Sequence, residues 1–405
     1  MASSYLSFRN SVPWLILVLE FLLLICFFFF SPHAENPSSE FYPAFQDVNH
    51  MVIFGFGFFL VVLRRYGFSS TGFNFLLIAL GVQCSMLVDL LVSLWVQEHE
   101  GGMRRLARAV VSMTAVVIST GAVLGKANPV QLIVMTLVEL SVFRVSRWIN
   151  GRFLEVEDNL TLMHVHLFGA YFGLAVTSRF PAPPPGLDKS RSSPRSDLFS
   201  VLGTVFVWVF WPSFSCIWEI SVLNTYFALA VSAVSAFMLS ALTSKDGKFR
   251  MTHIHSAVLA GGVTISYTVH IIHQPWIAML LGLLGSVISI LGSHCLQRCF
   301  NPPLKIQDTS GVHFTFGLPA VLGAVAAVVV FVVNEGTETQ WNNLSSLGEL
   351  VFVRVGAFCQ TISTALVTGF LTGLLLNIKL FKIVPVSKYF DDQFYWEFPH
   401  LSVGF

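Results

Sequence analysis

Long apolar segments separated by short polar breaks run along almost the whole chain. A helix needs roughly 20 apolar residues to cross a bilayer, and by that rule the sequence predicts about twelve membrane-spanning helices. Their approximate bounds are residues 13–31, 46–64, 71–95, 107–125, 128–147, 160–178, 198–218, 222–243, 254–271, 275–294, 313–333 and 350–377. The pattern therefore predicts an all-α polytopic membrane protein, with a single transmembrane domain over residues 1–378 and a tail over 379–405.

Composition supports a membrane protein and gives no sign of other classes. Hydrophobic residues make up 54% of the chain and charged residues only 11%, whereas soluble domains carry roughly 25% charged residues. The net charge of +1 gives no reason to expect a nucleic-acid partner. The six cysteines are scattered, and no spacing of Cys, His or acidic residues calls for a metal, so we expect no cofactor.

The distribution of Lys and Arg predicts the orientation. With the N-terminus inside, 16 of the 23 basic residues fall in inside loops or tails, so both termini are expected in the cytoplasm. The longest inside loop, residues 179–197, is rich in Pro and Ser and is interpreted as a flexible linker. Asn159 and Asn343 begin glycosylation acceptor patterns on the predicted outside. Glycine pairs such as Gly282 and Gly285 predict close helix packing.

The segment Thr161–Leu174 is apolar and membrane-length, but it carries His164 and His166 and is entered from Asp158. An ionisable residue in such a segment is costly, so it marks either a pathway or a polar contact inside the bundle. Asp158 is open to two interpretations: a functional acid that orients a substrate or takes part in its deprotonation, or an N-cap of the helix that begins near Leu160. His164 and His166, two residues apart, face different sides of the helix, and His164 is interpreted as a contact between helices. The remaining histidines, including His253 and His255, are interpreted as interfacial or packing residues.

Several sequence stretches resemble the Rh branch of the ammonium transporter family. The matching stretches are Arg65–Phe75, Gly121–Lys126, His166–Gly173, Trp211–Phe214 and Leu259–Val263. The run from Lys388 to Phe405 is similar to the tail of the Rh blood-group polypeptides of the D and CcEe type. The resemblance covers essentially the whole chain.

The resemblance implies a particular fold and assembly. It implies a trimer in which each subunit has one narrow pore, formed by two inverted five-helix repeats with an extra N-terminal helix and a long C-terminal helix. The repeats map to residues 46–178 and 198–333. It also implies Rh-associated glycoprotein or like subunits as partners, an erythrocyte plasma-membrane location, and ammonium, ammonia or carbon dioxide as permeant.

The resemblance further implies which residues line the pore. Asp158 matches the outer acid, His166 the first pore histidine and Phe214 one gating aromatic. The second gating ring is missing near Val111, and the second histidine is replaced by Phe316. His313 lies three residues before Phe316, nearly a helical turn away along the axis, so it is a poor substitute. Conduction by this subunit is therefore expected to be reduced.

Two functions follow from these features. The first is a transport subunit, favoured by Asp158 and His166. The second is a non-conducting scaffold whose tail residues Tyr389, Phe390, Asp391 and Asp392 meet the spectrin skeleton through an adaptor such as ankyrin; Phe316 and Val111 favour it. An enzyme is not expected, because no set of nucleophile, base and orienting residue is present.

Overall fold

The computed structural model describes residues 10–30, 42–96, 101–184, 188–214, 219–296, 307–338 and 344–398. The described part of the chain is helical and contains no β-strand. Asn343 lies outside it, as do residues 185–187 of the predicted linker and the end of the tail, and the side chain of Asn159 is likewise not described.

Eight α-helices lie in the described part of the first half of the chain. They are α1 Val12–Phe30, α2 Tyr42–His50, α3 Phe56–Phe59, α4 Gly67–Val96, α5 Gly102–Ala122, α6 Pro129–Phe153, α7 Asp158–Leu162 and α8 Val165–Thr177. A π-helix, Met51–Gly55, joins α2 to α3. The start of α6 is fixed by its cap: Asn128 and Gln131 form a reciprocal capping box, and Pro129 occupies the first turn.

Six more α-helices lie among the described residues of the second half. They are α9 Pro194–Phe214, α10 Glu219–Thr243, α11 Met251–Ile265, α12 Pro275–Leu291, α13 Leu318–Glu338 and α14 Leu344–Leu376. Two further π-helices, Gly292–Leu296 and His313–Gly317, follow α12 and precede α13. Short 3₁₀ turns at Lys379–Phe381, Val386–Lys388 and Asp392–Phe394 form the described tail.

Ten helices of the described chain are long and apolar enough to cross a membrane. The two other predicted spans, 46–64 and 254–271, are helical over shorter lengths. In the first, the π-helix interrupts the α-helical path between α2 and α3. In the second, α11 ends at Ile265, where the hydroxyls of Thr264 and Ser266 donate to the carbonyls of Ala260 and Gly262, a local bonding pattern that competes with regular helix.

Glycines allow the closest helix contacts, as the sequence predicts. A Cβ on Gly282 of α12 would lie 2.2 Å from the Ala228 carbonyl oxygen of α10. A Cβ on Gly169 of α8 would lie 2.4 Å from the Ala115 carbonyl oxygen of α5. Small residues let membrane helices approach until their backbones touch, so these contacts set the spacing of the bundle.

Acidic side chains inside the membrane helices have polar partners. Asp89 of α4 forms an ion pair with Arg144 of α6, and both side chains are largely buried. Glu139 of α6 accepts a hydrogen bond from the Ser119 hydroxyl of α5. Unpaired charges at membrane depth are costly, so both contacts help fix α6 against its neighbours.

The tail packs back on the start of α4. The Asp392 carboxylate accepts hydrogen bonds from the Phe68 and Ser69 backbone N–H groups at 2.9 and 2.8 Å, which caps the helix. The Phe390 N–H donates to the Gly125 carbonyl, and both Tyr389 and Phe390 are buried. Residues 389–396 thus form a docked tail segment.

The predicted linker, where described, is tied to this tail. Asp188 pairs with Arg64 at 2.9 Å, and Lys189 pairs with Asp391 at 2.7 Å. Helix α9 begins within the predicted linker, at Pro194. These contacts hold the described linker residues against the same end of the bundle as the tail segment.

Candidate functional site: a line of buried rings through the bundle

His166 lies one residue after the start of α8 and is fully buried. A turn at Met163 and His164 separates α8 from α7, so the predicted continuous helix over 160–178 is broken just before this residue. The imidazole Nδ1 lies 3.4 Å from the Met163 carbonyl oxygen. Within the described residues, Nε2 has no hydrogen-bond partner. The His166 ring therefore presents one nitrogen atom, Nε2, to mostly apolar surroundings.

Aromatic rings surround His166. Trp211 stacks on it with ring centroids 5.3 Å apart and planes at 15°, and Phe214 lies 5.4 Å away at 56°. Both residues belong to α9. The structure thus brings together His166 and Phe214, two residues that the resemblance had placed in one pore.

Phe316 also lies beside His166. The two rings are nearly parallel, with centroids 6.3 Å apart. Phe316 also contacts the rings of Phe56 and Phe59 at 6.0 and 5.8 Å, and it is only 1% exposed. A fully buried phenylalanine in contact with three other rings has little free space around it.

A capped π-helix places Phe316. The Asp308 carboxylate accepts hydrogen bonds from the backbone N–H groups of Gly311, Val312 and His313, which fixes the start of the segment His313–Gly317. The wider π turn changes the direction in which successive side chains point. His313 contacts Tyr171 and Phe314, not His166. The ring of His313 therefore packs against other side chains than the ring of His166 does.

His255, which the sequence interprets as an interfacial or packing residue, is buried in the structure. Its ring stacks on Phe59 with centroids 3.9 Å apart and planes at 16°. Its Nε2 lies 3.0 Å from the Phe59 carbonyl oxygen. The argument that singled out His166, an ionisable residue in an apolar segment, applies equally to His255.

His255 also lines a cavity of about 460 Å³. Other lining residues include Asp197, Arg250, His253 and Asp308. The order of contacts is therefore Trp211 and Phe214, His166, Phe316, Phe59, His255 and then this cavity. A line of buried rings, with one imidazole near each end, runs from α9 to the cavity beside α11.

Asp158 is the first residue of α7, and Glu157 takes the N-cap position without a side-chain cap bond. The Asp158 carboxylate accepts two hydrogen bonds from Arg147 at 2.6 and 2.7 Å and pairs with Arg108 at 3.1 Å. Burial alone would raise its pKa, but these two guanidinium groups lower the pKa to about 2. The group stays ionised at neutral pH and is neutralised locally by Arg147 and Arg108.

The remaining sequence-predicted residues are Val111, His164 and those of the tail. Val111 is buried on α5, in the same hydrophobic core as Phe214, and supplies no ring. The His164 Nδ1 is 2.9 Å from the Thr361 hydroxyl, which confirms a contact between helices. Of the tail residues, Tyr389, Phe390 and Asp392 are buried, and Asp391 pairs with Lys189. The described residues include no cluster of three metal-ligating side chains.

Comparisons with known proteins show the family of this chain. Residues 15–392 match the model of the Ammonium Transporter Family. The chain is 42% identical to an RH-like protein of Macaca mulatta and 39% identical to the human blood group Rh(CE) polypeptide, in both cases over the full length of both chains. Both values hold over 424 aligned residues.

Solved structures show the same fold. The Rh50 protein of Nitrosomonas europaea, described as one of the Rhesus protein family of channels, is 28% identical with a TM-score of 0.74. The match covers 89% of this chain and 93% of that one. Saccharomyces cerevisiae Mep2 is 16% identical with a TM-score of 0.65, covering 85% and 86%, and it supports the fold alone. The chain belongs to the ammonium transporter family.

Proposed function

We propose that this protein is an Rh blood-group-type subunit of an oligomeric membrane complex that supports passage of ammonium as ammonia, and that its own path conducts weakly. The observation that carries the proposal is the position of Phe316, in contact with His166 on one side and Phe59 on the other. These contacts support both a conduction path that includes His166 and the restriction of that path by Phe316.

The chemistry of the route follows from the residues that line it. A passage lined by aromatic rings offers a hydrated cation no replacement for its water, so the ion is excluded while a small neutral molecule is not. Ammonium must therefore leave a proton behind before ammonia passes. A neutral imidazole such as that of His166 can donate or accept a hydrogen bond without carrying a charge itself.

Phe316 accounts for weak conduction. An imidazole in its place would continue the line of polar ring atoms from His166, whereas a phenyl ring offers no hydrogen bond. Its contacts with Phe56 and Phe59 leave it little room to rotate. A small apolar gas such as carbon dioxide needs no hydrogen bond and is the second permeant that this lining suits.

Asp158 is proposed to anchor the outer end of the route. Its pairing with Arg147 and Arg108 fixes α7 against α5 and α6, so that the turn before His166 is held in place. Because its pKa lies near 2, it is a poor proton acceptor at neutral pH. In this proposal Asp158 stabilises the outer end of the route and does not accept a proton.

The proposed setting is a trimer in the erythrocyte plasma membrane, with Rh-associated glycoprotein or like subunits and with both termini in the cytoplasm. The excess of Lys and Arg in the loops next to the tail supports this orientation. Transport by the complex would then rest mainly on its partner subunits.

The test is ammonia flux in vesicles that contain either this chain alone or the chain together with its partner subunits. We expect the mixed complex to conduct well and this chain alone to conduct weakly. A His166→Gln substitution should lower the weak flux of this chain and leave the partners' flux unchanged. Strong flux by the chain alone would contradict the proposal.

The second candidate is a scaffold that does not conduct and that links the membrane to the spectrin skeleton through ankyrin. The favouring observations are the phenyl ring of Phe316 and the absent ring at Val111. In this structure most of the tail residues proposed for that contact are buried, so adaptor binding would require the tail segment to undock. Ankyrin pull-down by the intact protein, lost on deleting residues 389–405, tests this role.

A further inference from the structure

Glu20 lies near the middle of a membrane-length helix. It is the ninth of the 19 residues of α1, Val12–Phe30, which places it about 12 Å from the nearer end of the helix at 1.5 Å per residue. The residue is exposed on the surface of the bundle. A carboxyl group at this depth is costly unless a polar partner satisfies it, and a glutamate side chain is too short to reach the membrane surface.

The structure gives the Glu20 carboxyl group one neutral partner. The side-chain amide of Gln83, on α4, donates a hydrogen bond to Glu20 Oε1 at 3.1 Å. Among the described residues this amide is the only hydrogen-bond partner of the carboxyl group, and no basic side chain pairs with it. One amide fills one of the several acceptor positions of a carboxylate and does not neutralise its charge. The carboxyl group therefore remains able to take a second, basic partner from outside the bundle.

The exposed apolar side chains beside Glu20 have the spacing of a seam between two helices. They are separated alternately by three and four positions and are 59–79% exposed: Trp14, Leu17, Phe21, Leu24 and Phe28. We call them the outer stripe of α1. This spacing is that of the a and d positions of a left-handed helix pair, a geometry that membrane helices also adopt. Glu20 takes the flanking g position, where charged residues of paired helices select the partner.

The acidic character of Glu20 decides between the possible occupants of this face. Acyl chains of lipid would cover the outer stripe equally well, but they offer a carboxyl group nothing. A second α1 would place two carboxyl groups against each other, which is unfavourable. In the described chain, the basic residues nearest the middle of a membrane-length helix are Arg144 and Arg108, and both pair with acids of this chain. A different protein is therefore the occupant that fits.

We propose that the outer face of α1 binds a membrane-spanning helix of a different protein, and that this helix carries one Lys or Arg near its middle, which pairs with Glu20. Apolar side chains of the partner helix interlock with the outer stripe. A lone basic residue at mid-membrane is as costly as a lone acid, so the pairing removes both costs together. Gln83 holds the Glu20 carboxyl group in place for this contact. The site is independent of the conduction path.

The test uses the full-length protein in phosphatidylcholine vesicles with three synthetic, leucine-rich transmembrane peptides. The first peptide has a single lysine at its centre, the second has that lysine moved two helical turns toward one end, and the third has none. Binding is measured by fluorescence energy transfer between labelled protein and labelled peptide. We expect the peptide with the central lysine to bind at least about fivefold more tightly than either of the others.

Variants then assign the preference to Glu20. Glu20→Leu should abolish it. Glu20→Lys should reverse it, so that a peptide with a central glutamate binds more tightly than the peptide with a central lysine, a result that a purely structural role of Glu20 would not give. The matched control is Ser363→Leu, which removes an exposed polar side chain near the middle of the span Gly348–Leu376 and should keep the preference of the unmodified protein.

Three results would overturn the proposal. Equal binding of the three peptides by the unmodified protein would show that no charge is recognised at mid-membrane. A lysine preference that survives in Glu20→Leu would place the contact on another face. Energy transfer between two differently labelled copies of this chain that is lost in Glu20→Leu would assign the outer face of α1 to a second copy. Size-exclusion profiles of all variants confirm that each is folded before it is compared.

Discussion

The phenyl ring of Phe316 lies almost parallel to the imidazole of His166, with an 8° angle between the planes and 6.3 Å between the ring centroids. Phe59 also contacts Phe316, and His255 stacks on Phe59. Two buried histidines are therefore separated by two phenylalanines. In the proposed function, this arrangement is an apolar route between the two histidines, and Phe316 restricts it.

His255 is predicted to serve the inner end of the route, where ammonia meets the water of the cavity. In a Phe316→His background, His255→Gln should reduce ammonia flux at least roughly tenfold, because glutamine keeps a hydrogen-bond donor but cannot exchange a proton. The control is His253→Gln, two residues away in the same cavity. Equal fluxes in the two variants, measured by stopped-flow pH change in vesicles, would assign His255 to packing alone.

Asp158→Asn should destabilise the protein by leaving the buried Arg147 guanidinium without its carboxylate. We expect a loss of about 2 kcal/mol, less than for a fully buried pair, because the Asp158 side chain is 39% exposed. The measurement is thermal unfolding in detergent, with Asp188→Asn in the exposed pair with Arg64 as control. A loss no greater than that of the control would contradict the anchoring role.

The same pair predicts a pH dependence. The pKa of Asp158 in the folded protein, about 2, lies below its ordinary value of 3.8. The folded state therefore favours the ionised form, and the stabilisation is complete above pH 3.8 and lost as the pH falls through 2. The difference in melting temperature between the wild type and Asp158→Asn should accordingly narrow on acidification.

Gly282→Ala should separate α12 from α10. Its Cβ would lie 2.2 Å from the Ala228 carbonyl oxygen, a backbone atom that cannot turn aside. Overpacking of this kind costs about 1–3 kcal/mol. Gly102→Ala at the start of α5, where a Cβ would meet nothing within 4 Å, is the control and should be neutral or stabilising. Equal melting temperatures for the two variants would argue against backbone contact at Gly282.

Asp392→Ala should loosen the tail segment by removing the cap on α4. Loss of a cap costs about 1 kcal/mol, which corresponds to roughly fivefold more time undocked. Limited proteolysis within residues 389–398 should be faster by that factor. Asp391→Ala, which removes the partly exposed pair with Lys189, should have a smaller effect. If adaptor binding requires undocking, Asp392→Ala should also increase ankyrin binding.

Apolar segments of membrane length predict most of this fold, because burial of backbone polar groups in lipid leaves helices as the only solution for such segments. The interruptions of these helices are harder to predict from the sequence. The π-helix that positions Phe316 begins where three backbone N–H groups donate hydrogen bonds to the Asp308 carboxylate. The break before His166 is a turn at Met163 and His164. Neither leaves a periodic signal in the sequence.

The candidate site was predictable only in part. His166, Phe214 and Phe316 belong to recognisable stretches, and the structure places them together. The contact of His255 with Phe59 could not be predicted, because the two residues are 196 positions apart in sequence and pairing over such a distance has no local signature. The ion pairs of Asp158 could not be predicted from the sequence, because Arg108 of α5 and Arg147 of α6 come close to it only in the packed bundle.

The most direct test of the account is ammonia flux in vesicles that contain this chain alone, before and after Phe316→His. We predict weak flux for the unmodified protein and at least roughly tenfold more after the substitution, because a relay atom replaces the apolar ring. Phe314→His in the same π-helix, whose ring contacts His313, is the control and should change nothing. Equal flux before and after the Phe316 substitution would contradict the claim that Phe316 restricts the path.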